Sequence, residues 1–141
     1  MVINVAFLFN LPIGIKFACK SVTSIEKMKN ILFYSPDLSF CASVLMYFEK
    51  KYAVTTTNDF DHIERFLRSS DFDMLIIDCQ PNEKIENLIK NIHPLPIIMT
   101  YVFTRNILSL ESQIRSYVNA ILYKPFDFDE MSGKIDILMT K

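Results

Sequence analysis

Three side chains stand at the ends of apolar runs, where a fold can bring them together. Asp78 closes Asp73-Met74-Leu75-Ile76-Ile77-Asp78, an apolar run stopped by a carboxylate. Thr100, with Tyr101 beside it, comes late in the run from Ile97 to Val102, and Lys124 follows the run from Val118 to Tyr123 and precedes Pro125. A further run, Ile31-Leu32-Phe33-Tyr34, delivers Ser35, Pro36 and Asp37. If these runs are parallel strands, a carboxylate, a hydroxyl and an ammonium can converge on one spot. That spot lies outside the carboxyl ends of the strands, where open α/β sheets form their sites. Asp78 and Lys124 would nearly neutralise each other there, so a direct ion pair is the expected contact.

Other chemistries lack their residues. Only two glycines occur in 141 residues, Gly14 and Gly133, where average usage of roughly 7% would give about ten. A Walker phosphate loop and a dinucleotide fingerprint each need several closely spaced glycines, so both are excluded. Cys19, Cys41 and Cys79 are far apart and share no metal-type spacing with His62 or His93, which fits reduced thiols in a cytoplasmic protein. No histidine ends a strand and no nucleophile–base pair is evident, so an enzyme, such as a small flavodoxin-like one, is not expected. Cys79 could change that, but the adjacent Asp78 should raise its pKa and blunt its reactivity unless Lys124 offsets the effect. A formal charge of −1 leaves no basic footprint for direct nucleic-acid binding.

The elements that must position these groups alternate regularly after Lys29. The first strand leads into a helix reaching about Lys50, with Ser35 as a possible cap, Pro36 at the first position and Asp37 in the first turn. Leu38, Cys41, Leu45 and Phe48 share one face of it. Tyr52 to Thr57 is rich in β-branched residues and reads as a strand. Asn58 or Asp59 can cap the next helix, which turns Phe60, Ile63, Phe66 and Leu67 inward. Glu83 to Ile92 is a short helix closed by Pro94 and Pro96. Another helix is expected around Thr104 to Ser116. The last runs from Asp127 to Met139 with Phe128, Met131, Ile135 and Leu138 toward the core, and carries Gly133 at some cost. Five strand–helix alternations predict a doubly wound parallel sheet with helices on both faces.

Residues 1–28 read as an apolar N-terminal extension. Val2 to Ile15 is uncharged but too short for a spanning helix, and no basic residue precedes it as in a secretory signal. An extra strand or apolar arm packed on the domain is the expectation, with no membrane association. Met28, just before the first strong strand, would also serve as a start.

Residues 29–141 resemble the receiver domain of two-component response regulators (the CheY-like superfamily). The resemblance rests on Phe72-Asp73-Met74-Leu75-Ile76-Ile77-Asp78, on Ile121-Leu122-Tyr123-Lys124-Pro125-Phe126, and on the final helix, in this order over five alternations. It implies a flavodoxin-like fold with strand order 2-1-3-4-5 and a cis bond before Pro125. It implies that Asp78 accepts a phosphoryl group from a histidine kinase, that Lys124 contacts the phosphoryl oxygens, and that Thr100 follows the phosphate as a switch. It also implies Mg²⁺ at Asp78, and self-association through the fourth and fifth helices and the strand between them. The chain is then a stand-alone signalling module acting through a partner, or a phosphorylation-independent scaffold with the same fold.

The pattern departs from the family at several points. Ser35 and Pro36 stand where two adjacent acids normally help hold Mg²⁺, leaving Asp37 as a weak metal ligand and Mg²⁺ binding doubtful. Counting from Pro96, Thr100 arrives one residue early and Tyr101 takes the expected position. The spacing from Asp78 to Pro81 is one residue short. Ile121 occupies the place of the family's switching aromatic residue, with Tyr123 two residues on along the same strand face.

Overall fold

The computed structural model describes residues 2–4, 28–92 and 94–140. Its sheet comprises β1 (Val2–Asn4), β2 (Asn30–Tyr34), β3 (Ala53–Thr57), β4 (Met74–Asp78), β5 (Ile97–Tyr101) and β6 (Ala120–Tyr123). The helices are α1 (Leu38–Phe48), α2 (His62–Ser69), α3 (Glu83–Ile92), α4 (Leu108–Ile114) and α5 (Phe128–Met139). A 3-10 turn, Arg105–Ile107, leads into α4.

The sheet order is β1-β3-β2-β4-β5-β6. The last five strands are mutually parallel, which is the flavodoxin-like order 2-1-3-4-5 with one strand added. That addition, β1, pairs antiparallel with β3, setting Val2 opposite Thr57 and Asn4 opposite Thr55. It gives partners to backbone groups that an edge strand would otherwise leave open. The rest of the expected apolar arm, with Cys19, lies outside the described residues, as does His93.

Strand residues alternate between two apolar layers because successive side chains point to opposite faces. Ile31, Phe33, Met74 and Ile76 pack with Cys41, Val44, Leu45 and Phe48 of α1 and Met131 and Ile135 of α5. Leu32, Tyr34, Leu75 and Ile77 pack with Ile63 of α2, Ile85, Leu88 and Ile89 of α3, and Ile107 and Ile114 at α4. Burial on both faces explains why these strands read as continuous apolar runs.

Several local expectations are corrected. Asp37, not Ser35, caps α1: its Oδ1 accepts from the backbone N–H groups of Ser39 at 3.0 Å and Phe40 at 3.3 Å. Ser35 instead turns its hydroxyl into the sheet. Starting α1 at Leu38 leaves Leu38 exposed and puts Val44 in the core instead. The N-cap of α2 is Asp61, two residues after Asp59 and three after Asn58. The expected Thr104 to Ser116 helix is split into the 3-10 turn and the shorter α4.

Candidate functional site

The parallel register sets Asp78 of β4 beside Thr100 of β5, and places Ser35 just past the end of neighbouring β2. Lys124 enters from the turn after β6, held by its backbone N–H, which donates to the Tyr101 carbonyl at 2.9 Å. The Lys124–Pro125 bond is cis.

These four residues meet at one carboxylate. Asp78 is only 6% exposed. Its Oδ1 accepts from the Thr100 hydroxyl at 2.7 Å and lies 2.7 Å from the Lys124 Nζ. Its Oδ2 accepts from the Ser35 hydroxyl at 2.7 Å. The Ser35 oxygen in turn accepts from the Asp37 backbone N–H at 3.0 Å. Burying a carboxylate is tolerable only with this kind of pairing. Among the described residues, no buried side-chain nitrogen or oxygen lacks a partner.

Sheet pairing decides the threonine question. The local count from Pro96 favoured Tyr101, but the register puts Thr100 on Asp78 and directs Tyr101 elsewhere. The Tyr101 hydroxyl donates at 2.7 Å to Glu111 of α4, which is 1% exposed. The Tyr123 hydroxyl donates to the same carboxylate at 2.8 Å, and Arg115 completes an ion pair with it. Burial alone would push the Glu111 carboxyl up, but the two phenols and the Arg115 charge hold it below its ordinary value. Burial and the hydrogen bond to Glu111 push the Tyr101 phenol well up. Ile121 packs into the α2–α4 side of the core, so Tyr123 is the aromatic residue of β6 that faces this network.

Asp37 does not join the Asp78 cluster through its carboxylate, which caps α1 instead. The hydrogen bond from the Ser39 hydroxyl, at 2.8 Å, and that from the Phe40 N–H hold it below the usual carboxylate range. Among the described residues no group of three His, Cys, Asp or Glu side chains is placed to hold a metal ion. Asp78 with Ser35, Pro36 and a committed Asp37 does not fit Mg²⁺, a hard cation that wants carboxylate and water oxygens. Burial, then the Asp78 charge, raises the Cys79 thiol, which leaves it mostly protonated and a poor nucleophile at neutral pH.

Two buried contacts escaped the sequence. The Ser35 hydroxyl was legible only as a cap or a poor metal ligand. Glu111 carried a signal: it stands four residues after Ile107 and three before Ile114, on the buried face of its helix. Beside the Asp78 cluster a concavity of about 600 Å³ opens to solvent, bordered by Phe40, Val102, Pro125 and Phe126 with Lys124 and Asp37.

No protein-family model matches the sequence, and no curated protein matches it. Solved structures do. A response regulator from Thermotoga maritima superposes with a TM-score of 0.70 at 16% identity, covering 82% of this chain and 100% of that one. A two-component response regulator from Clostridium difficile gives 0.69 at 15% identity, covering 80% and 97%. The chemotaxis regulator CheY4 of Vibrio cholerae gives 0.68 at 18% identity, covering 79% and 99%. At these identities the likeness is one of fold: the chain has the CheY-like receiver fold over most of its length. No helix among the described residues is long and apolar enough to cross a membrane.

Proposed function

We propose that this chain is a receiver-type regulatory module of two-component signalling, with Asp78 as its phosphoryl acceptor and its effect delivered through protein contacts. The observation that carries the reading is the meeting of Asp78, Thr100 and Lys124 at the carboxyl ends of neighbouring strands, in a fold shared with response regulators. In the reaction, an Asp78 oxygen attacks phosphorus and the bond from phosphorus to the donor's imidazole nitrogen breaks. The imidazole keeps the electron pair and takes a proton. Lys124 and Thr100 then meet the phosphoryl oxygens, and the movement of Thr100 is passed along β5 to Tyr101. The partner is a histidine kinase or another signalling protein.

Mg²⁺ has a small role in this reading. An ordinary acidic triad draws a divalent cation through its surplus negative charge. Here Lys124 cancels Asp78, and a hydroxyl and a proline stand where carboxylates would be. Phosphoryl transfer without that cation is slow, because little else stabilises the charge on the transferring group. The exposed Val102, Phe103, Leu108 and Tyr123 cluster near α4, β6 and the loop after β5. They favour self-association through α4, β6 and α5.

Intact mass after incubation with acetyl phosphate and Mg²⁺ tests the reading. A slowly formed, base-labile phosphate adduct that disappears in Asp78→Asn supports it. A second reading, a phosphorylation-independent scaffold, draws on one observation: both Asp78 oxygens already accept hydrogen bonds. Complete absence of adduct, with acetyl phosphate shown active on a control receiver, overturns the first reading in favour of this one.

A further inference from the structure

The Lys124 ammonium has a second contact that the ion pair does not explain. Its Nζ lies 4.9 Å from the centroid of the Phe40 ring while staying 2.7 Å from Asp78 Oδ1. The charge is therefore seated between a carboxylate and an aromatic face. A lysine stem has four rotatable bonds, and this side chain is 35% exposed, so without a second contact the ammonium would sample water readily. A ring face attracts a cation through its quadrupole, and more strongly where water is partly excluded.

The seat itself is rigid. Phe40 stands in the first turn of α1, and its backbone N–H is one of the groups capped by Asp37. Its ring meets Phe33 edge-on at 5.4 Å, Phe126 at 6.3 Å and Phe128 in a stack at 6.1 Å. Phe33 is fully buried in β2. Phe40 cannot swing away without disturbing the three rings packed on it, whereas Lys124 can leave toward the adjoining concavity.

We propose that Phe40 is a positioning residue that seats the Lys124 ammonium on Asp78 and so restrains the carboxylate in its neutralised resting state. The inference rests on the reading of Asp78 as an acceptor only for its consequence: an incoming phosphoryl group must draw the ammonium off Asp78, and the ring opposes that movement. The contact itself stands independently of the reading.

The full chain, labelled with ¹⁵N-lysine, provides the test. The Lys124 ammonium signal is identified by its loss in Lys124→Gln. Its hydrogen exchange is compared in wild type, Phe40→Tyr and Phe40→Leu, with urea midpoints recorded to separate exchange from unfolding. Leucine keeps the apolar bulk and removes the ring face; tyrosine keeps the face. We expect protection in wild type and Phe40→Tyr, and a loss of about tenfold in Phe40→Leu. Equal protection in Phe40→Leu reduces Phe40 to a packing residue and overturns the proposal. Beryllofluoride with Mg²⁺, a phosphoryl mimic, then reads the consequence: Phe40→Leu should reach half-occupancy at several-fold lower concentration than wild type. Equal half-occupancy in the two overturns the restraint. Occupancy in neither counts against the restraint, the acetyl phosphate adduct deciding the acceptor reading and the exchange data deciding the seat.

Discussion

Two buried carboxylates satisfy themselves in parallel ways, and the contrast between them lies in where their donors come from. Asp78 takes two hydroxyls, from Ser35 and Thr100, and one ammonium, from Lys124. Glu111 takes two phenols, from Tyr101 and Tyr123, and one guanidinium, from Arg115. Thr100 and Tyr101 are consecutive residues of β5, so one strand end serves both. The donors differ in origin. Those of Asp78 come from three separate strand ends, and its cation borders an open concavity. The cation of Glu111 stands on its own helix one turn later, and the phenols are aromatic bodies packed 5.7 Å apart. The first arrangement can open at its partly exposed lysine. The second fastens α4 to β5 and β6.

Truncating the two carboxylates should break the comparison most visibly. Glu111→Ala leaves two phenols and a guanidinium without their acceptor and should destabilise the protein by about 2–3 kcal/mol in urea denaturation. Asp78→Asn keeps an acceptor for Ser35 or Thr100 and unpairs a half-exposed lysine, so its cost should be about 1 kcal/mol. Equal losses would mean that the Asp78 cluster is also a structural fastening.

Stability against pH should sharpen the comparison next. Glu111 is depressed in the folded state, so its contribution is present above its ordinary value of 4.5 and is lost as pH falls through the folded value. Tyr101 is raised, so the neutral phenol contributes below 10.0, and that contribution is lost as pH climbs beyond it. Denaturation midpoints measured across the range should fall at both ends. Glu111→Gln should flatten the acid limb, and Tyr101→Phe the alkaline one. An unchanged acid limb in Glu111→Gln would remove Glu111 from the account.

The smallest effect lies away from both carboxylates. Gly133 sits inside α5, and a Cβ there would meet nothing within 4 Å. Gly133→Ala should therefore stabilise by about 0.5–1 kcal/mol, with Mg²⁺ response and any adduct formation unchanged. A loss of stability would show that α5 packs differently from the structure described.

The fold was legible because parallel strands buried on both faces leave uninterrupted apolar runs, and because two prolines mark where α3 must end. The placement of Asp78 and Lys124 followed from the strand ends alone. What escaped depended on pairing between segments distant in sequence. Ser35 and Asp37 are both ordinary capping residues, and only the neighbouring Asp78 decides that Ser35 turns inward and Asp37 caps. Counting from Pro96 pointed to Tyr101 rather than Thr100, because register is set by β4 and not by the local chain. The α4 segment was expected too long, since nothing local marks the 3-10 turn that precedes it. Phe40 drew no attention in the sequence because its cationic partner lies 84 residues further on.

The central claim is electrostatic: Lys124, rather than a divalent cation, balances Asp78. Titrating the full chain with Mg²⁺ while following the amide signals of Ser35, Asp78 and Lys124 tests it most directly. The account predicts small, non-saturating shifts through the millimolar range. Saturable binding at those three residues, as tight as in a receiver with a complete acidic set, would contradict it.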